Sequence, residues 1–157
     1  KNFFNHVLKV LGETGIPYDS LEFEITETAL MTNPEESEEI LRKLQHLGIK
    51  IAIDDFGTGY SSLNRLKSLP ISSLKIDKSF IQDIGTQNNN DLIVKSIIAL
   101  ARELHLQAIA EGVEEKSQLN FLIKEDCPEA QGYLFNYPLT KDDMKRVFLE
   151  AKTNHTD

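Results

Sequence analysis

Five short apolar runs, each divided from the next by a stretch of helical periodicity, leave this chain few folds to choose from. Residues 21–27 alternate, with Leu21, Phe23 and Ile25 on one side and Glu22, Glu24 and Thr26 on the other. A β-branched run opens at Ile51, and residues 73–77, 107–113 and 130–135 supply three further expected strands. Expected helices occupy 34–47, 61–69, 88–106 and 115–124, with one more at 2–12 and a last one after the cap Thr140. Thr32 or Asn33 caps the helix that opens at Pro34, acidic residues crowd its first turns, and Gly48 ends it. The asparagine run 88–90 opens the longest helix, and the tail 154–157 is expected to fray.

Strands alternating with helices imply a parallel sheet joined by right-handed crossovers. Two architectures satisfy that. One is a complete open sheet of five strands, like a phosphoacceptor receiver domain. The other is the last five strands of an eight-stranded β/α barrel. In an open sheet only the strands at the switch point converge on a ligand, whereas in a barrel every strand end faces one centre. Glu24, Asp54, Lys75, Glu111 and Gln131 fall on five different expected strands, most near the C-terminal end. That placement favours the barrel.

The stretch 51–62 carries the densest chemistry. Its apolar start ends in Asp54 and Asp55 side by side, followed by Gly57, Gly59 and a possible helix cap at Ser61-Ser62. Two like charges at the mouth of a buried strand resist joint ionisation, and a shared cation removes that cost. A solvated turn is the plain alternative for the pair taken alone.

At 157 residues, 40% hydrophobic and 27% charged, the composition is that of a soluble domain or a piece of a larger one. No apolar run approaches the roughly 20 residues of a membrane span, and the sequence points to a cytoplasmic setting. Cys127 has no partner for an internal disulfide, and His6, His46, His105 and His155 show no ligand spacing. The net charge of −8 disfavours DNA, RNA and anionic membranes as partners. An acidic protein acting on a phosphate substrate needs metal ions to reverse the local sign.

Glu24-Ile25-Thr26-Glu27, Asp54-Asp55-Phe56-Gly57-Thr58-Gly59-Tyr60-Ser61-Ser62, Leu74-Lys75-Ile76-Asp77, Ala110-Glu111-Gly112-Val113-Glu114 and Gln131-Gly132-Tyr133 stand in one order. Their order and spacing resemble the EAL family, the cyclic di-GMP phosphodiesterases of bacterial signalling. The resemblance covers nearly the whole chain. It implies a β/α barrel, two Mg²⁺ or Mn²⁺ ions, and hydrolysis of cyclic di-GMP to linear pGpG. One departure stands out: no Glu-Ala-Leu occurs in these residues, nor the asparagine that normally precedes the helix with which the chain opens. A barrel of this type needs about 250 residues. Residues 1–157 are therefore expected to be the C-terminal portion of an EAL domain, a partial (β/α)8 barrel with the last five strands.

By matched position the resemblance gives Glu24, Asp54, Asp55 and Glu111 as metal ligands, and oxygen donors of this kind suit Mg²⁺ or Mn²⁺. Lys75 resembles the lysine that positions the attacking water and offsets phosphate charge, with a salt bridge to Asp77 or another acid as the alternative. Glu111 also matches a water-orienting, proton-handling glutamate. Gln131 resembles the active-site amide of the last strand. Glu27 would brace the glycine loop containing Gly57 and Gly59, Glu114 would be an outer acid, and Asp77 reads as structural.

Two functions follow as expectations. The first is a catalytic portion of a cyclic di-GMP phosphodiesterase, inactive as the isolated chain because two ligands are missing. The second is a degenerate module that binds cyclic di-GMP or a protein partner without turnover. Unpaired edge strands would favour a homodimer, and sensory or GGDEF domains upstream are common in the family.

Overall fold

The computed structural model describes residues 2–59, 63–86 and 90–153. The expected cap at Ser61-Ser62, Asn88 and Asn89 of the asparagine run, and the tail 154–157 with His155 lie outside the described residues. The strands are β1 (Glu22–Thr26), β2 (Lys50–Phe56), β3 (Ser73–Ile76), β4 (Gln107–Ala110) and β5 (Glu129–Ala130). The α-helices are α1 (Asn2–Thr14), α2 (Glu27–Thr32), α3 (Pro34–His46), α4 (Leu63–Ser68), α5 (Lys78–Gln82), α6 (Asp91–Glu103), α7 (Lys116–Lys124) and α8 (Lys141–Thr153).

All strand pairs are parallel, and the sheet order is β1-β2-β3-β4-β5. A doubly wound sheet reverses the direction in which strands are added. Here it never reverses, so right-handed crossovers set the helices on one side and leave the other face to line a barrel lumen. The receiver-like open sheet is excluded, and the fold is α/β, a partial barrel of five strands.

The two faces follow from the period of two. Phe23, Ile25, Ile51, Ile53, Leu74, Ile76, Ala108 and Ala110 form one face, and the last six are almost wholly buried. Val94, Ile97, Ile98 and Ala101 of α6 and Leu41 and Leu44 of α3 belong to the same core. The opposite face carries Glu22, Glu24, Asp54, Ser73 and Lys75. Its polar residues define where chemistry can occur.

The same turn returns the chain from helix to strand at three places. After α3, α6 and α7 the residues Gly48, His105 and Asp126 adopt positive φ. Each is bracketed by a six-to-one and a five-to-two hydrogen bond: Ile49 to Leu44 and Gly48 to Gln45, Leu106 to Ala101 and His105 to Arg102, Cys127 to Leu122 and Asp126 to Ile123.

Several boundaries differ from expectation. The first helix passes through Gly12 to Thr14 and stops where Gly15, at φ 68°, donates its N–H to the Leu11 carbonyl. The expected helix 88–106 ends at Glu103, because His105 turns left-handed. α2 and α5 were not expected; at six and five residues they are too short to show helical periodicity. Thr26 and Asp77, read as strand ends, accept N-cap hydrogen bonds from Ala29 (3.3 Å) and Ser79 (3.0 Å). The strand expected at 107–113 ends at Ala110, and that expected at 130–135 shrinks to Glu129–Ala130. Beyond it Gln131 still donates to the Ala110 carbonyl (2.8 Å) and accepts from Val113 (3.0 Å). A side chain at Gly132 would meet the Val113 backbone at 2.2 Å, so this crossing of two chains requires glycine.

Candidate functional site

Lys75 organises the polar face. Its side chain rises from the middle strand, is 6% exposed, and its Nζ lies 2.7 Å from Glu24 Oε1, 2.9 Å from Asp54 Oδ1 and 2.8 Å from Glu111 Oε1. The three acids come from β1, from β2 and from the turn after β4, so parallel register delivers them to one point. The Glu111 amide, bonded to the Ile76 carbonyl (3.2 Å), holds that turn against β3. Burial alone would lower the lysine pKa, but close pairing with Glu111, Glu24 and Asp54 prevails and holds it above the ordinary lysine range. Of the salt-bridge alternatives for Lys75, Asp77 or another acid, the structure has the second: its ion-pair partners among the described residues are these three acids. Asp77 is occupied at the start of α5, where it accepts from the Ser79 amide and hydroxyl.

Neighbours in a regular strand point to opposite faces, yet Asp54 and Asp55 act together. The register between β2 and β3 shifts between Ile53 and Phe56, and Asp55 takes φ 52°. The bulge turns both carboxylates toward the same space. One oxygen each from Asp54, Asp55 and Glu111 falls within 4.8 Å of the others. Desolvation, repulsion from Asp54 and Asp77, and a hydrogen bond with Asp77 raise the Asp55 pKa, with Lys75 opposing. Despite its partial burial, Asp77 is held below the ordinary carboxylate range by Ser79 and Asp55. Asp54 Oδ1, although close to Lys75, has no aligned hydrogen-bond partner and is buried. A concentrated acidic group with a poorly satisfied oxygen is suited to a hard divalent cation.

Gln131 donates from Nε2 to Glu111 Oε1, tying the last strand to the cluster. Glu27 lies apart from it. Its carboxylate is 5% exposed and packs on Gly59, where an added Cβ would sit 2.8 Å from Oε2. Gly57 is covered by Phe80 and Ile97. Glu114 lies on the wall of a cavity of about 580 Å³ that also reaches Glu111 and Gln131. The cavity adds Lys78, Tyr133 and Tyr137. Of these, Tyr133 belongs to the Gln131-Gly132-Tyr133 motif, while nothing periodic marks Lys78 or Tyr137.

The family model of the EAL domain matches residues 1–138. The cyclic di-GMP phosphodiesterase NbdA of Pseudomonas aeruginosa is 47% identical over 135 residues, which is 86% of this chain and 17% of the relative. The structure of the PaMucR phosphodiesterase in its c-di-GMP complex is similar with a TM-score of 0.86 and 40% identity, covering 89% of this chain and 57% of that one. The manganese and cy-diGMP complex of Klebsiella pneumoniae BlrP1 gives a TM-score of 0.78 at 31% identity, covering 85% and 34%. The chain thus spans about a sixth of the length of its curated relative NbdA. Among the described residues no helix is long and apolar enough to cross a membrane.

Proposed function

The chain belongs to the EAL domain family, and on that premise we propose that its acidic cluster is part of a metal-dependent site that hydrolyses cyclic di-GMP to linear pGpG. The observation that carries the reading is the convergence of Glu24, Asp54 and Glu111 on buried Lys75, with Asp55 turned inward by the bulge. Glu24, Asp54, Asp55 and Glu111 would hold Mg²⁺ or Mn²⁺, in a two-ion site. When bound, such ions neutralise phosphate charge and lower the pKa of an attacking water.

The protein's own groups then have defined tasks. Lys75 Nζ, which now balances three carboxylates, can donate to a non-bridging phosphate oxygen and stabilise charge there. Glu111 can accept a proton from the attacking water, and the Gln131 amide fixes the orientation of its carboxylate. Glu27 braces the Gly57–Gly59 loop from outside the cluster, and Asp77 positions Asp55.

Residues 1–157 are proposed to be the C-terminal portion of the EAL domain, with the remaining ligands contributed by other parts of a parent protein. The partial cover of the solved relatives and the single neighbours of β1 and β5 support this. The chain alone is then inactive, and its open edges favour a homodimer. Sensory or GGDEF domains in the parent belong to the same proposal.

Lys75 also supports a second reading. Its ammonium already pairs with Glu24, Asp54 and Glu111 and offsets part of their charge, as a module that binds cyclic di-GMP without turnover would allow. Calorimetry with Mn²⁺ and chromatography of cyclic di-GMP incubations separate the readings. Mn²⁺ binding by the wild-type chain that is lost in Asp54→Asn and Glu111→Gln supports the catalytic site, and wild-type Mn²⁺ affinity retained in both variants overturns it. Steady pGpG formation by these residues alone would overturn the proposed inactivity.

A further inference from the structure

Two tyrosines stand beside the acidic cluster with no task in the chemistry above. Tyr133 and Tyr137 have ring centroids 4.7 Å apart and planes inclined by 30°. They are 53% and 69% exposed, and both line the cavity that reaches Glu111 and Gln131. Exposing two stacked aromatic rings forgoes a large burial gain, which makes the pair informative.

The loop that carries them is well braced. Leu134 donates to the Val113 carbonyl (2.9 Å) and Phe135 to the Gly132 carbonyl (3.1 Å). Gly132 lies directly against the Val113 backbone. Pro138 follows Tyr137 and biases it toward extended backbone. A ring fixed in this way pays little ordering entropy when a flat ligand covers it. Lys78 brings a cation to the same cavity, so the wall combines a π surface with a positive charge. An aromatic face for a base and a cation for a phosphate are what a nucleotide asks of a protein.

We propose that the Tyr133–Tyr137 pair is a stacking platform for one purine base of the bound dinucleotide, with Tyr137 supplying the contact face. The proposal rests on the nucleotide reading given above. It assigns Tyr137 to binding and orientation, away from the reacting phosphate.

The chain has four tyrosines and no tryptophan, so its own emission reports on the platform. The probe is cyclic di-GMP, titrated into wild type, Tyr137→Phe and Tyr137→Ala while tyrosine emission and binding heat are recorded. Wild type should be quenched on binding, Tyr137→Phe should bind within about twofold, and Tyr137→Ala should bind about tenfold more weakly, as loss of one stacked base requires. Because the ring is exposed, circular dichroism should show all three equally folded. Unchanged affinity in Tyr137→Ala overturns the platform and leaves the nucleotide reading standing. Failure of wild type to bind at millimolar nucleotide overturns both.

Discussion

Asp54 and Asp55 are adjacent on β2, and both carboxylates reach one space because Asp55 leaves the extended region for φ 52°. The left-handed region costs a non-glycine residue about 1–2 kcal/mol, less for Asp, and repulsion from Asp54 and Asp77 adds to it. Asp55→Gly should therefore gain up to about 1 kcal/mol in urea unfolding while losing Mn²⁺ affinity. A variant that is destabilised, or that binds Mn²⁺ like wild type, would show that the strain serves no ion.

Removing the ammonium of Lys75 leaves Asp54 and Glu111 repelling each other in a largely covered space, with Glu24 half exposed beside them. Lys75→Met should lower the stability of the metal-free protein by about 3 kcal/mol, toward the lower end for a broken buried ion pair because Glu24 keeps contact with water. Mn²⁺ should recover part of that loss. The readout is the unfolding midpoint of variant and wild type with and without Mn²⁺. Equal losses in both conditions would mean that the cation and the lysine answer to different groups.

These effects mark where the sequence was legible. Alternation at 21–27 and the β-branched opening at Ile51 set the strands on their correct faces, because a half-buried strand must display a period of two. Polar residues near the strand ends favour the barrel over the open sheet, and the unbroken strand order bears that out, although Glu111 and Gln131 lie just past β4 and β5 rather than on them. Helix ends were less legible: His105 and Asp126 do in two turns what Gly48 does in the third, and residue type alone does not mark them. The partners of Lys75 were hidden as well. Asp77 is nearest along the chain, but its carboxylate is committed to Ser79, while Glu24 and Glu111 arrive from distant segments.

Glu27 presses its carboxylate on Gly59. Gly59→Ala should cost about 1–3 kcal/mol, since the buried carboxylate must move to admit a methyl group. Glu27→Ala in the same chain should remove most of that penalty. A double-mutant cycle by urea unfolding checks it, with a coupling above about 0.5 kcal/mol expected. Strict additivity would mean that the loop rests on other residues.

Cys127 Sγ lies 3.4 Å from the Glu129 carbonyl and 3.7 Å from that of Ala108, and burial pushes its thiol pKa up. The neutral form is favoured in the folded state, so this contribution to stability is complete below the ordinary thiol pKa. It fades as pH rises through the raised folded value. Cys127→Ser should flatten the alkaline decline of the unfolding free energy, and iodoacetamide at pH 8 should label folded Cys127 more slowly than an unfolded control. Labelling at the control rate would show the thiol free to ionise.

The three recurring helix-to-strand turns allow a test that leaves the site untouched. Gly48 enters the left-handed region freely, whereas His105 and Asp126 must hold a Cβ there, at φ 58° and 57°. The bracketing hydrogen bonds are the same in all three turns, so the residue at the left-handed position is the variable. Replacement by glycine relieves strain but lets the unfolded chain roam more widely, and the first term is the larger at positive φ. His105→Gly should gain about 1 kcal/mol, and Asp126→Gly about half as much because Asp tolerates this region better. Additive gains would give a combined rise in unfolding midpoint of about 3–6 °C. A departure from that sum would measure coupling between the two turns, because Arg102 and Leu106 line one cavity with Asp126. A loss in either variant would mean that its side chain contributes more to the turn than its backbone strain removes.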